Sequence, residues 1–180
     1  MKTDVEQLST YKSVHLNKTN VKTHFIGVPI IIWSLMVLLS LIELPISIGG
    51  SAYTLTMSVV CFTGIIIYYF LLNSKLAVGQ ILFFAPMLYV AYLVAQQQHA
   101  VWIAITAFVV GWVIQFIGHH YEKAKPAFVD DLNQLIIGPF FLMAEVFFMF
   151  GAQKELEGKV TAIAITKRRE FEAKTKQPHQ

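Results

Sequence analysis

A single cysteine, Cys61, stands in the 180 residues, so no disulfide can form within the chain. Charge is scarce too: Asp, Glu, Lys and Arg make up 14% of the sequence, against about 25% in a typical soluble domain. The net charge is only +3, and its basic residues gather towards the two ends. The stripe of Lys and Arg that a nucleic-acid surface needs is missing. The first 24 residues are polar, with neither the apolar core nor the small-residue cleavage site of a secretory signal. There is no internal repeat and no low-complexity tract. No two histidines stand four apart, which argues against the HxxxH pairs of di-iron membrane hydroxylases.

What fills the chain instead is apolar. Hydrophobic residues make up 56%, with 14 Phe and 7 Tyr, and the mean hydropathy is +0.57. This is the balance of an integral membrane protein. Residues 1–23 are polar and expected to be partly helical, with Asn20 a candidate N-cap for the first apolar segment. Segment one runs from Phe25 to about Leu44, long enough to cross roughly 30 Å of hydrocarbon. Pro45 and Gly49-Gly50 mark a turn. Segment two is Ala52–Leu72, ended by Asn73-Ser74-Lys75; segment three is Leu76–Ala95, with Pro86 as a tolerated kink. Segment four is Ala100–Ile117. A fifth apolar run, Leu135–Phe150, is shorter, broken by Gly138-Pro139, and carries Glu145.

Lysines 2, 12, 18 and 22 precede segment one, Lys75 follows segment two, and Lys123 and Lys125 follow segment four. The connections after segments one and three hold no Lys or Arg. The positive-inside rule therefore places the N-terminus, the 73–75 turn and the 118–133 loop in the cytoplasm. The C-terminal stretch, with Lys167-Arg168-Arg169, is basic as well. A fifth crossing would carry it outside. The expected fold is all-α: a polytopic membrane bundle of about four transmembrane helices, with the fifth run re-entrant or interfacial and both termini cytoplasmic. Residues 1–152 form one membrane-embedded domain and 153–180 a basic polar tail.

This topology gathers His15, His24, His119, His120, Glu122, Asp130 and Asp131 on one membrane face and sends His99 to the other. His179 falls in the tail. Imidazole is the commonest metal-binding side chain, and a His-rich site suits Fe(II), Zn or similar ions, with open positions at iron suiting O₂ chemistry. His15 and His24 are nine residues apart, about 900° of helical rotation, so the chain must bend between them to share an ion. His119 and Glu122 share a face if segment four continues as helix. His119 and His120 diverge by about 100°, so one of the two is the better ligand. Asp130 is placed to orient an imidazole. Glu145, an ionisable group in an apolar run, is functional or paired with a lysine. Lys22, Lys123 and Lys125 could attract an anionic substrate, or serve only as topology signals. The Lys-Arg-Arg run suits anionic lipid.

The string Tyr11-Lys12-x2-His15-x-Asn17-x2-Asn20-Val21-x2-His24, then Pro29, resembles the N-terminus of a family of small membrane proteins. So does Gly111-Trp112-x2-Gln115-Phe116-x-Gly118-His119, followed by Glu122-Lys123-x2-Pro126-Ala127, Asp130, Leu132, Gln134, Pro139 and Glu145. The family includes the fungal 2-hydroxy-fatty-acid (2-hydroxypalmitate) dioxygenases of fatty-acid α-oxidation. The resemblance implies an Fe(II)-dependent membrane enzyme that takes a long-chain 2-hydroxy fatty acid and O₂ and returns the acid one carbon shorter. In the fungal members this serves breakdown of sphingoid bases. His15, His24 and His119 match the candidates for iron, with His120 a fourth whose counterpart is lost because the His119–Pro126 interval is one residue shorter here. Glu122 and Asp130 match carboxylate positions. The expected membrane is a bacterial inner membrane or the endoplasmic reticulum, with the site on the cytoplasmic face. Two other readings compete: another metal-dependent lipid enzyme, hydroxylase or hydrolase, and a non-enzymatic scaffold. A transporter would want ionisable groups mid-membrane, and only Glu43, near a segment end, comes close.

Overall fold

The computed structural model describes residues 2–129 and 131–176. Its helices are α1 (Asp4–Ser13), α2 (Lys18–Ser40), α3 (Met57–Leu72), α4 (Ser74–Ala95), α5 (Ala100–Glu122), α6 (Gln134–Met149) and α7 (Lys154–Lys176). The one departure from all-α architecture among the described residues is an antiparallel hairpin of β1 (Glu43–Ile48) and β2 (Ser51–Thr56). Gly49 and Gly50 turn it at φ +59° and +83°, the left-handed values a two-residue hairpin loop requires. Strand β2 takes residues 52–56 out of the apolar segment expected to start at Ala52. Helix α3 is therefore 16 residues long, short of the roughly 20 that a span needs.

Three helices, α2, α4 and α5, are long and apolar enough to cross a membrane. Large apolar side chains such as Leu82, Tyr89 and Trp102 point outward from α4 and α5, an arrangement that water disfavours and lipid accommodates.

The chain divides into two compact units, residues 24–116 and residues 1–23 with 117–180. The core of the 24–116 unit packs Met36 and Val37 with Phe84, Ala91, Ala95, Ala100 and Ala104. Where α2 meets α5, a Cβ on Gly27 would lie 2.9 Å from the Gly111 carbonyl oxygen. The two backbones touch only because both residues lack a side chain, as small residues permit in membrane helix pairs.

In the other unit α1 is started by a capping box: Thr3 accepts from the Glu6 N–H, and Glu6 accepts from the Thr3 N–H. Helix α6, the fifth apolar run, is too short for an ordinary span and is the core of this unit. Its residues from Ile137 to Ala144 are buried, and it packs on α1. The stretch expected to be a polar tail folds as α7, which lies along α1 with Val160 and Ala164 buried one turn apart.

Candidate metal centre

The site begins where α1 stops. Helix α2 is capped by Asn17, whose Oδ1 accepts from the Thr19 N–H at 2.8 Å. Asn20, the expected cap, lies inside the helix instead, and its side-chain nitrogen donates to Glu122 at 3.1 Å. The linker 14–17 supplies the bend that separates His15 from His24. Helix α5 does continue past the apolar segment, to Glu122, so His119 and Glu122 lie on neighbouring positions of one face.

His15 is 2% exposed, and its ring stacks on Tyr11 at 4.1 Å and 4°. Its Nδ1 lies 2.6 Å from the Tyr11 carbonyl oxygen. A carbonyl only accepts, so Nδ1 carries the proton and Nε2 presents its lone pair, the tautomer of a metal-ligating imidazole held by a backbone oxygen. The His119 ring meets His15 edge-on at 5.1 Å. His24, buried, is one peptide on from Thr23 in the same turn of α2. The ligand nitrogens of His15, His24 and His119 lie within 4.8 Å of one another. Metal–imidazole bonds of about 2.1 Å allow two nitrogens on one ion to be up to about 4.2 Å apart. The spread exceeds that limit by at most about 0.6 Å, and three imidazole donors fit a metal. An all-imidazole set suits iron, zinc or copper rather than calcium or magnesium.

Glu122 is buried, and its carboxylate is occupied on every side. It accepts from the N–H groups of Leu16 (3.2 Å) and Asn17 (2.8 Å), from the Asn20 side chain, and from Arg168 of α7 at 3.5 Å. Arg168 also donates to the Glu122 carbonyl at 3.1 Å. The carboxylate thus fastens the bend that carries His15 onto the end of α5 that carries His119. Tyr11, buried, has its phenol pushed well above the usual range by burial and stays neutral. Glu145 pairs with Lys12, whose ammonium stands 5.8 Å from the centres of the Phe141 and Phe148 rings.

The remaining expected residues are not brought into the cluster. His120 is exposed, with its ring against Tyr121; one residue along a helix is about 100° around it, enough to turn it away from His119. Lys22, Lys123 and Lys125 are exposed. Asp130 and His179 lie outside the described residues. Asp131 pairs with Lys2 at 3.0 Å, which with the Asn133 N–H holds its carboxyl below the usual range. His99 lies in the turn before α5, at the opposite end of that helix. Sequence reasoning missed Arg168, which reads as one member of a lipid-facing basic run; nothing local to it signals a buried partner 46 residues away.

The family model described as 2-hydroxy-palmitic acid dioxygenase Mpo1-like matches residues 1–150. The 2-hydroxy-palmitic acid dioxygenase MPO1 of Saccharomyces cerevisiae is 32% identical to the chain over 156 residues, covering 84% of this chain and 83% of that one. No solved structure matches. All three imidazoles of the cluster lie within the matched span, and the chain belongs to the Mpo1-like family.

Proposed function

We propose that the protein is an Fe(II)-dependent dioxygenase that converts a long-chain 2-hydroxy fatty acid and O₂ to the fatty acid one carbon shorter. The observation that carries the reading is the convergence of His15, His24 and His119 in a chain related to an enzyme named for 2-hydroxy-palmitic acid. Carbon and oxygen balance if the carboxyl carbon leaves as CO₂ and one oxygen as water. His15, His24 and His119 would hold the iron, and the ion would supply the binding and activation of O₂.

The chain's own residues do the rest. Tyr11, through its carbonyl, fixes the His15 tautomer. Glu122, ringed by donors, positions His15 against His119 without needing to ligate. Asp130 is proposed to orient the site from the 118–133 loop. His120 takes a role outside the coordination sphere, as a donor to the substrate. Lys22, Lys123 and Lys125 provide a positive field for an arriving carboxylate. The alkyl tail stays among apolar helices, each buried CH₂ contributing about 0.8 kcal/mol. Catalysis belongs to residues 1–152, at the cytoplasmic face on the positive-inside count.

The test is turnover. Detergent-purified protein loaded anaerobically with Fe(II) and given 2-hydroxypalmitate and O₂ should release pentadecanoate. Zinc-loaded protein should release none. A shortened acid formed equally well with zinc, or none formed with stoichiometric iron, would remove the proposal.

A further inference from the structure

The amide of Gln115 has no assigned task and no partner. The residue is 4% exposed, and neither its Nε2 nor its Oε1 makes a hydrogen bond. A buried amide left this way is costly, so a ligand or water that completes it is expected. Its position narrows the choice. Gln115 lies one helical turn, about 6 Å, below His119 on α5. Its amide rests against α2 at Gly27, where a Cβ would come within 2.6 Å of Nε2. Gly27 in turn is one turn below His24. The carboxamide therefore sits one turn deeper than a histidine of the cluster on each of the two helices.

We propose that Gln115 is the substrate-recognition residue for the 2-hydroxy acid head group, donating from Nε2 to the carboxylate and accepting at Oε1 from the 2-hydroxyl. This rests on the proposed function. One carboxamide offers a donor and an acceptor side by side, and a 2-hydroxy carboxylate offers their complements on adjacent carbons. An acid that lacks the hydroxyl leaves Oε1 buried and unpaired, and a site of this kind discriminates strongly against such analogues. Gly27 serves the same end, since any side chain there displaces the amide.

The test compares anaerobic binding of 2-hydroxypalmitate and palmitate to iron-loaded protein, for wild type, Gln115→Met and Gln115→Glu. Met matches the length without the amide. Glu keeps the shape and the acceptor but loses the donor, which protects against simple misfolding. Wild type is expected to prefer the hydroxy acid. Both variants should hold iron as wild type does; Gln115→Met should lose about tenfold or more of the preference, and Gln115→Glu should weaken both acids by a similar factor. Wild-type affinity and preference in both variants would overturn the assignment and leave the amide to a buried water. Wild type that holds iron yet binds neither acid would overturn the function itself.

Discussion

The two units of the chain are specified by different physics. Residues 24–116 contain just two charged residues, Glu43 and Lys75, both exposed. Apolar packing and close helix contact hold this unit: Met36, Val37 and Phe84 in the core, and Gly27 touching Gly111. Residues 1–23 and 117–180 have an apolar core on α6 as well, and add to it placed charges and directional bonds. Glu122 gathers four donors from two parts of the sequence, Lys12 meets Glu145, and Lys167 reaches Ser9 and Thr10. Apolar packing tolerates exchange of one hydrophobe for another; a buried carboxylate with four donors does not. His15 and His119 belong to this polar unit, where side chains can be held to the tolerance that chemistry demands.

Substitutions should separate the two kinds of unit. The largest stability effect is expected at Glu122→Ala, which strands two backbone N–H groups, the Asn20 amide and Arg168. A loss of about 3–5 kcal/mol should appear in denaturant or thermal unfolding, together with loss of bound metal as the His15 bend comes loose. Gly111→Ala should follow: its Cβ would lie 2.6 Å from Ile31 Cγ1 and 3.1 Å from the Gly27 carbonyl oxygen. Overpacking of that order costs about 1–3 kcal/mol, and metal binding should survive wherever the protein folds. Arg168→Ala leaves Glu122 its other three donors, so about 1.5 kcal/mol is expected, with weaker retention of metal. Smallest of all, Lys159→Ala removes an exposed i,i+4 contact with Glu155 and should leave the melting curve unchanged.

The same contrast governs what could be read from the sequence. Apolar runs announce themselves by composition, so α4 is legible almost to the residue. Helix α2 instead starts seven residues before Phe25 and stops at Ser40, ahead of β1, and α5 runs on to Glu122, because helix ends lie in polar sequence that composition does not mark. The start of segment two at Ala52 is misplaced because β2, which carries no charge, runs straight into α3 with no break between Thr56 and Met57. The signal that separates them, a Gly-Gly pair between two six-residue runs, is a hairpin mark and not merely a turn. The expected topology puts the segments of His15, His24 and His119 on one face, and the structure brings the ligand nitrogens of these three within 4.8 Å of one another. Glu122 and Glu145 stood out as carboxylates in the right places, but their partners did not. Arg168 and Lys12 are distant in sequence and ordinary in type, and only folding brings them to a buried acid. The C-terminal stretch looked solvated because half of its surface is; Val160 and Ala164, four apart, are the narrow apolar face that packs α7 on α1.

That three particular imidazoles grip one ion is tested most directly by metal content. Protein would be purified anaerobically with Fe(II), as wild type and with alanine substituted at His15, His24, His119 and His120 in turn. One iron per chain is expected in wild type and in His120→Ala. Each of the other three should show a fall of more than about 100-fold in iron affinity, beyond what outer-sphere changes produce. Undiminished iron in His24→Ala or His119→Ala, or its loss in His120→Ala alone, would contradict the three-histidine site.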